Sequence, residues 1–412
     1  MSRKALAILV LSALWLTTSP ADAEIGAVDD RPAATLLLPY FEVDVDDPTG
    51  LDTLFSINNA AAEARVVHVT LWTDLGVPTI GFNVYLTGYD VVPISLRQIF
   101  KGNLPQTSLA DPPGAFSLPP TVPPAGCVGQ LPPPPLSPAD VSGLRNAHSG
   151  KASSLLAGLC GGLDRGDGRA RGYVTVDAMN ECSTIFPDGP GYFVAGGFGK
   201  ASNDNVLWGD YFYIDRANAF AQGENLVHIE ASGLNPETAT PGEYTFYGRY
   251  VAWLAADNRE ALASKTATRF LVGGVFDTTR LIVWRDSKVD QGPVACPASP
   301  APLPYEDIYV FDEQENPYSM NMGAVKFDAL AGVLDVGGAE FPVPVFFGWI
   351  YLNLNHGGGG NPPEDPDAAQ SVAATTISAL GRFSVGQKAY VLESALNASH
   401  ACINGGGMPP CP

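Results

Sequence analysis

Short stretches in which apolar and polar residues alternate, broken by Gly, Pro, Asn and Asp, recur along most of the chain, as strands with one face on a core would require. Val66 to Asp74 places Val67, Val69 and Leu71 on one face and His68 and Thr70 on the other. Thr53 to Asn59 alternates Phe55 and Ile57 with Ser56 and Asn58, and Thr35 to Val43 is a β-rich run before it. Phe82 to Thr87 and Tyr89 to Leu96 extend the series, with Pro93 marking an edge or a break. Gly172 to Asp177, Asn205 to Ile214 and Leu226 to Ala231 resume it. Trp208 shares a strand face with Val206 and Phe212, which predicts that it packs in a core.

After Pro241-Gly242 the pattern restarts, with strands predicted at Glu243 to Leu254, Thr268 to Val272, Arg280 to Asp286, Asp307 to Asp312 and Ala324 to Asp328. Val343 to Leu354 reads as a buried strand. The runs TRFLV, RLIVWRD and DIYVFDEQENP follow the order of TLLLPYFEV, TLFSINN and VTLWTDLGVP, while GWIYLN parallels GYVTVD and KAYVLES parallels LVHIEA. The expected fold class is therefore all-β: two tandem immunoglobulin-like β-sandwich domains, 24–240 and 241–400, followed by a Cys-containing tail, 401–412. One interleaved sandwich of many strands is the competing layout. Residues 101–171 change to Pro, Gly, Ser and Ala and read as an insertion in the first domain. Within it, Ser137-Pro138-Ala139-Asp140 predicts a helix start, N-cap Ser and Pro at the first position, running to about Leu156.

Composition agrees with this. With 44 Gly, 36 Pro and only 16% charged residues, the chain favours turns and sheets over exposed helices. Arg3 and Lys4, the apolar Ala5 to Leu16 and the small-x-small Ala21-Asp22-Ala23 make residues 1–23 a signal peptide, so that the mature chain begins at Glu24 in the periplasm or outside the cell. A net charge of −20 repels nucleic acid, so no nucleic-acid partner is expected, and it leaves room for calcium. No later apolar run is long enough for a spanning helix. Cys127, Cys160, Cys182, Cys296, Cys402 and Cys411 are an even number in an exported chain and read as disulfides. Spacing suggests Cys402 with Cys411 and Cys127 with Cys160, leaving Cys182 for Cys296; none shows zinc spacing.

No nucleophile elbow, HExxH, P-loop or dinucleotide fingerprint occurs. His68, His148, His228, His356 and His400 form no helical pair, and His68 and His228 read as satisfied or solvent-facing strand residues. Glu42, Asp44 and Asp46 share a face at a strand end and are the candidate calcium ligands, set against a solvated acidic loop. The acids Glu364, Asp365 and Asp367, after the glycine run 357–360, read as a loop. Arg165-Gly166-Asp167 matches an integrin ligand but reads as a chance occurrence in a turn-rich chain, and Asn397-Ala398-Ser399 matches a glycosylation pattern. Trp72, Trp208, Tyr211, Tyr213, Trp253, Trp284 and Trp349 lie in strand-like runs, as core or as a sugar-binding face.

In TLLLPYFEVD, TLFSINN, VTLWTD, NVYLTGYDV, ARGYVTVD, NVLWGDYFYID, FAQGENLVHIEA and FGWIYLNLNH the chain resembles a group of uncharacterised secreted bacterial proteins. The resemblance implies bacterial export and a β-rich fold, and carries over no functional residue. The expected function is an exported, non-enzymatic structural or interaction protein without a cofactor, whose partner is a cell-surface protein or a glycan. The alternatives are a carbohydrate- or calcium-dependent extracellular binding module and a secreted hydrolase using paired carboxylates.

Overall fold

The computed structural model describes residues 31–118, 124–231, 245–247, 257–263, 265–274, 276–286, 292–300, 302–319, 325–355, 369–380, 388–394 and 396–397. The expected signal peptide 1–23, Trp253, His356, the acidic run 364–367, His400, Cys402, Cys411 and all of the glycosylation tripeptide but Asn397 lie outside them. The molecule is mostly antiparallel β-sheet. In the N-terminal half the strands are β1 (Thr35–Val43), β2 (Leu51–Asn59), β3 (Arg65–Thr73), β4 (Pro78–Leu86), β5 (Val91–Ser95), β6 (Ala170–Met179), β7 (Leu207–Trp208), β8 (Asp210–Asp215), β9 (Phe220–Asn225) and β10 (Val227–Ile229). In the C-terminal half they are β11 (Lys265–Leu271), β12 (Phe276–Arg285), β13 (Asp307–Phe311), β14 (Pro317–Ser319), β15 (Ala331–Val336), β16 (Phe347–Asn353), β17 (Ser371–Leu380), β18 (Lys388–Ser394) and β19 (Leu396–Asn397).

Four sheets form. Sheet I runs β5-β2-β8-β9 with β7 extending β8 along β2; sheet II runs β10-β1-β6-β3-β4; sheet III runs β15-β12-β17-β18; sheet IV runs β14-β13-β16-β11-β19. Read from the other edge, sheet IV is β19-β11-β16-β13-β14, which reproduces sheet II strand for strand, and sheet III reproduces sheet I in the same way. Side-chain details repeat as well. Thr53 Oγ1 accepts the N–H of Glu42 and donates to its carbonyl; Thr279 Oγ1 does both to Leu271. Gly172 and Gly348 hold the same place, since an added Cβ would stand 1.9 Å from the carbonyl oxygen of Trp72 in one half and of Phe311 in the other. Glu42 thus corresponds to Leu271, Thr53 to Thr279 and Leu54 to Arg280. The strand predicted at 324–328 is instead a single bridge from Phe327 to Leu303, and β15 follows it. The likeness of KAYVLES to LVHIEA is also one strand out of register, because β18 takes the place of β9 and β19 that of β10.

The sheets stack in the order I, II, III, IV, with β9 at the edge of sheet I also meeting β18 at the edge of sheet III, and burial along each strand records its layer. β1, β3 and β6 of sheet II are buried on both faces, apart from the half-buried Arg65. β13 and β16 of sheet IV alternate, because only one face is covered. Phe55, Ile57, Tyr211 and Tyr213 of sheet I meet Leu38, Phe41, Val69 and Val174 of sheet II, and the same core continues through Ile282, Trp284, Ala331 and Ala374 of sheet III. A second core of Leu281, Val283, Leu334, Val310 and Ile350 lies between sheets III and IV. Fully burying each such side chain contributes about 1.5–3 kcal/mol.

The Pro-rich segment caps one end of the first sheet pair. Its helix, Pro138–His148, starts as its sequence predicts, with Ser137 Oγ accepting from the Asp140 N–H, but stops at His148, and a separate 3-10 turn covers Ser154–Leu156. Two disulfides are present, Cys127–Cys182 and Cys160–Cys296. They correct the pairing expected from spacing: Cys127 lies against the strand end that carries Cys182, where Ala125 bridges to Glu181, and Cys160 pairs in backbone register with Val294. Such bonds fit folding in an oxidising compartment. Among the described residues, no helix is long and apolar enough to cross a membrane.

Candidate functional site

Sheet II presents its polar chemistry to sheet III. The turn after Val43 carries Asp44 and Asp46 away from the sheet, while Glu42 stays in β1 and is buried. Its Oε1 accepts from Arg169 Nη1 at 2.6 Å and Arg171 Nη2 at 3.0 Å; its Oε2 accepts from Arg280 Nη2 at 3.1 Å and from the Tyr40 hydroxyl at 3.1 Å. Burial alone would raise the Glu42 carboxyl, but Arg280, Arg171 and Arg169 outweigh it and hold it at about 2. Asp44 Oδ1 accepts the Asp47 N–H, and Asp46 faces Arg145 at 3.4 Å. The three calcium candidates are therefore not brought around one point. Among the described residues no cluster of three or more metal-ligating side chains occurs. The cavity beside Glu42 and Arg280 is about 20 Å³, room for a water molecule and too small for a substrate.

A second buried carboxylate was not singled out from the sequence. Asp177, in β6, accepts from Thr35 at 2.5 Å, Tyr192 at 2.8 Å and Tyr247 at 2.9 Å, with the Arg259 guanidinium 3.9 Å away. Arg259 in turn donates to Thr35 Oγ1 and to the carbonyls of Asp257 and Ser202. All of these side chains are buried, and the cluster joins segments far apart in sequence. A carboxylate so saturated with donors, and out of contact with solvent, acts as a brace. The signal for it in the sequence was slight, a lone Asp ending GYVTVD.

The described histidines are also engaged. His68 Nδ1 meets Asn83 Oδ1 at 3.1 Å, and His228 Nδ1 meets the Arg31 carbonyl at 2.8 Å. His148 joins the Thr79 hydroxyl to the Arg171 carbonyl, and burial lowers its pKa to about 4. In the integrin-like tripeptide, Arg165 pairs with Asp328 and Asp167 with Arg171.

Exposed chemistry lies on the two outermost sheet faces. On sheet I, Trp208 is 46% exposed and Phe212 is 40% exposed, which corrects the expectation that they sit in the core. Leu207, Tyr211 and Tyr213 are the inward residues instead. The Phe212 ring occupies the space above Gly223, its cross-strand partner, where a Cβ would come within 2.2 Å of it. Around these rings lie Leu54, Pro93, Val91 and the hydrogen-bonded pair Ser56 and Asp210. On sheet IV, Arg269 lies 4.6 Å over the Trp349 ring, and Phe311, Tyr309 and Tyr351 are only half-buried. Trp72 and Trp284, by contrast, are buried between sheets II and III, with Tyr173 as their shared neighbour. A shallow polar hollow of about 570 Å³ beside Asn180, Glu181, Asn203 and Asp204 carries exposed Phe198 at its rim.

In comparisons with known proteins, no family model, no curated protein and no solved structure matches the chain.

Proposed function

We propose that this is an exported, non-enzymatic structural or interaction protein of bacterial origin, built from two tandem β-sandwich domains, 24–240 and 241–400, and working through its outer sheet faces. The repeated strand order supports the tandem reading. The paired antiparallel sheets support the immunoglobulin-like reading, while the first two strands, which lie in opposite sheets where an immunoglobulin domain keeps them in one, speak against it. The observation that carries the functional reading is the pair Trp208 and Phe212, large rings held outward on a rigid sheet while the buried carboxylates Glu42 and Asp177 are fully occupied. Trp208→Ser with Phe212→Ser is expected to remove binding to immobilised partner material without changing the melting temperature. Hydrolytic activity on glycoside, ester or peptide substrates, lost in Glu42→Gln or Asp177→Asn at unchanged fold, would overturn it. Sequencing the N-terminus of the exported protein checks the expected start at Glu24.

A carbohydrate-binding module is the second reading, favoured by exposed Trp208 beside the polar Ser56 and Asp210. Binding of soluble polysaccharide that depends on Trp208 selects it, and insensitivity to chelators separates it from a calcium-dependent module.

A further inference from the structure

In the stack of four sheets, sheet II of the first half packs its outward face on sheet III of the second. Sheet III is the counterpart of sheet I, and sheet II the counterpart of sheet IV. The contact inside the chain therefore joins two unlike faces, and each has a counterpart that no described residue covers, at an end of the stack: sheet I at one, sheet IV at the other. A contact between unlike faces does not close on itself when repeated without rotation back to the start.

The residues at these counterparts change together. Inside the chain, Arg280 of β12 reaches Glu42 of β1, flanked by Arg171. The counterpart of Arg280 on sheet I is Leu54, and that of Glu42 on sheet IV is Leu271, by the matching threonine clamps. Arg171 pairs across the ladder with Glu42 as Phe347 pairs with Leu271. The Arg280–Glu42 contact of the joint is thus replaced by apolar residues on both open faces, while Ile282 and Trp284 of sheet III correspond to the polar Ser56 and Asn58 of sheet I. Sheet IV also presents Arg269, and sheet I presents Asp210.

We propose that a second copy of this chain docks head to tail, the Leu54 and Trp208 face of one molecule on the Leu271 and Phe347 face of the next, repeating the joint between sheets II and III. The inference rests on the interaction-protein reading above and names the partner of its outer faces. Repetition extends the assembly in one direction.

The test is sedimentation velocity on the full mature chain, from micromolar to millimolar concentration, with two face-blocked variants. Leu54→Glu with Trp208→Glu blocks one face, and Leu271→Glu with Phe347→Asp blocks the other, both changes acidic so that the blocked faces repel each other. The unmodified chain is expected to give a sedimentation coefficient that rises with concentration without reaching a dimer plateau. Each variant alone stays monomeric, with self-association weakened roughly thirtyfold or more. Mixed together, the two variants form a one-to-one dimer and nothing larger, because one intact copy of each face remains. An unmodified chain that stays monomeric, or a variant that still self-associates alone, overturns the proposal. Trp208→Ser and Phe347→Ser carry the same comparison where the charged variants lose cooperative unfolding. A monomer that binds polysaccharide through Trp208 overturns the docking while leaving the interaction reading in place. A monomer that hydrolyses a substrate overturns both.

Discussion

Glu42 Oε2 accepts a hydrogen bond from Arg280 Nη2 at 3.1 Å, across 238 residues of sequence, and so ties the first strand of the chain to the second half. Both Glu42 oxygens are spent on guanidinium and hydroxyl donors, and its carboxylate is nearly out of water. Glu42→Ala removes the buried acid that Arg171 and Arg280 share, leaving Arg171 with Asp167 and the partly exposed Arg280 with Asp335. It is expected to cost about 1–3 kcal/mol in denaturant unfolding. Glu42→Leu with Arg280→Leu, which copies the apolar residues of the open faces, is expected to cost much less than Glu42→Ala.

The same group sets an acid limit. Against burial, its arginines hold the Glu42 carboxyl at about 2, below its unfolded value of 4.5. A depressed acid stabilises the fold fully above the unfolded value and loses that contribution as pH falls toward the folded one. Stability should therefore drop between pH 4.5 and 2, and Glu42→Gln should flatten that part of the profile in thermal scans.

Asp74 behaves oppositely. Its carbonyl accepts N–H groups from Leu330 at 2.8 Å and Ala331 at 3.2 Å, a second tie between the halves. Burial raises its carboxyl from 3.8 to about 7, with Arg165 opposing. The folded state then binds this proton more tightly than the unfolded chain, so stability falls as pH rises from 3.8 to 7 and is level above. Asp74→Asn keeps an acceptor for the Leu163 N–H and is expected to remove that slope.

Cys160 and Cys296 lie 136 residues apart, and their bond joins the Pro-rich segment to the second half. By loop entropy it contributes at most about 5 kcal/mol, and Cys127–Cys182 about 4. Non-reducing peptide mapping should recover those two linked pairs. Recovery of Cys127 linked to Cys160 would contradict the fold.

Gly172 and Gly348 each face a backbone carbonyl that leaves no room for a Cβ. Gly172→Ala and Gly348→Ala are each expected to cost roughly 3 kcal/mol or more, measured by chemical denaturation. Gly114→Ala, with no atom within 4 Å of its added Cβ, is the neutral control.

Alternation in Val66 to Asp74 and Thr53 to Asn59 made the strands legible, and the order of the runs hinted at the repeat. Which face met water was not legible, because alternation is satisfied equally by a core and by a second sheet. His68 and Thr70 are polar yet buried, since the outer face of sheet II is covered. Trp208 and Phe212 are aromatic yet exposed, since nothing described lies over sheet I. The Asp177 brace was hidden for another reason: its partners Tyr192, Tyr247 and Arg259 are brought to it only by folding.

Hydroxyl-radical footprinting of residues 24–412 at low concentration tests the stacked arrangement most directly. Trp208, Phe212 and Phe347 should label strongly, and Tyr40, Tyr173 and Trp284 should be protected. Labelling of Tyr173 and Trp284 to the level of Trp208 would mean that sheets II and III do not meet, and would contradict the account.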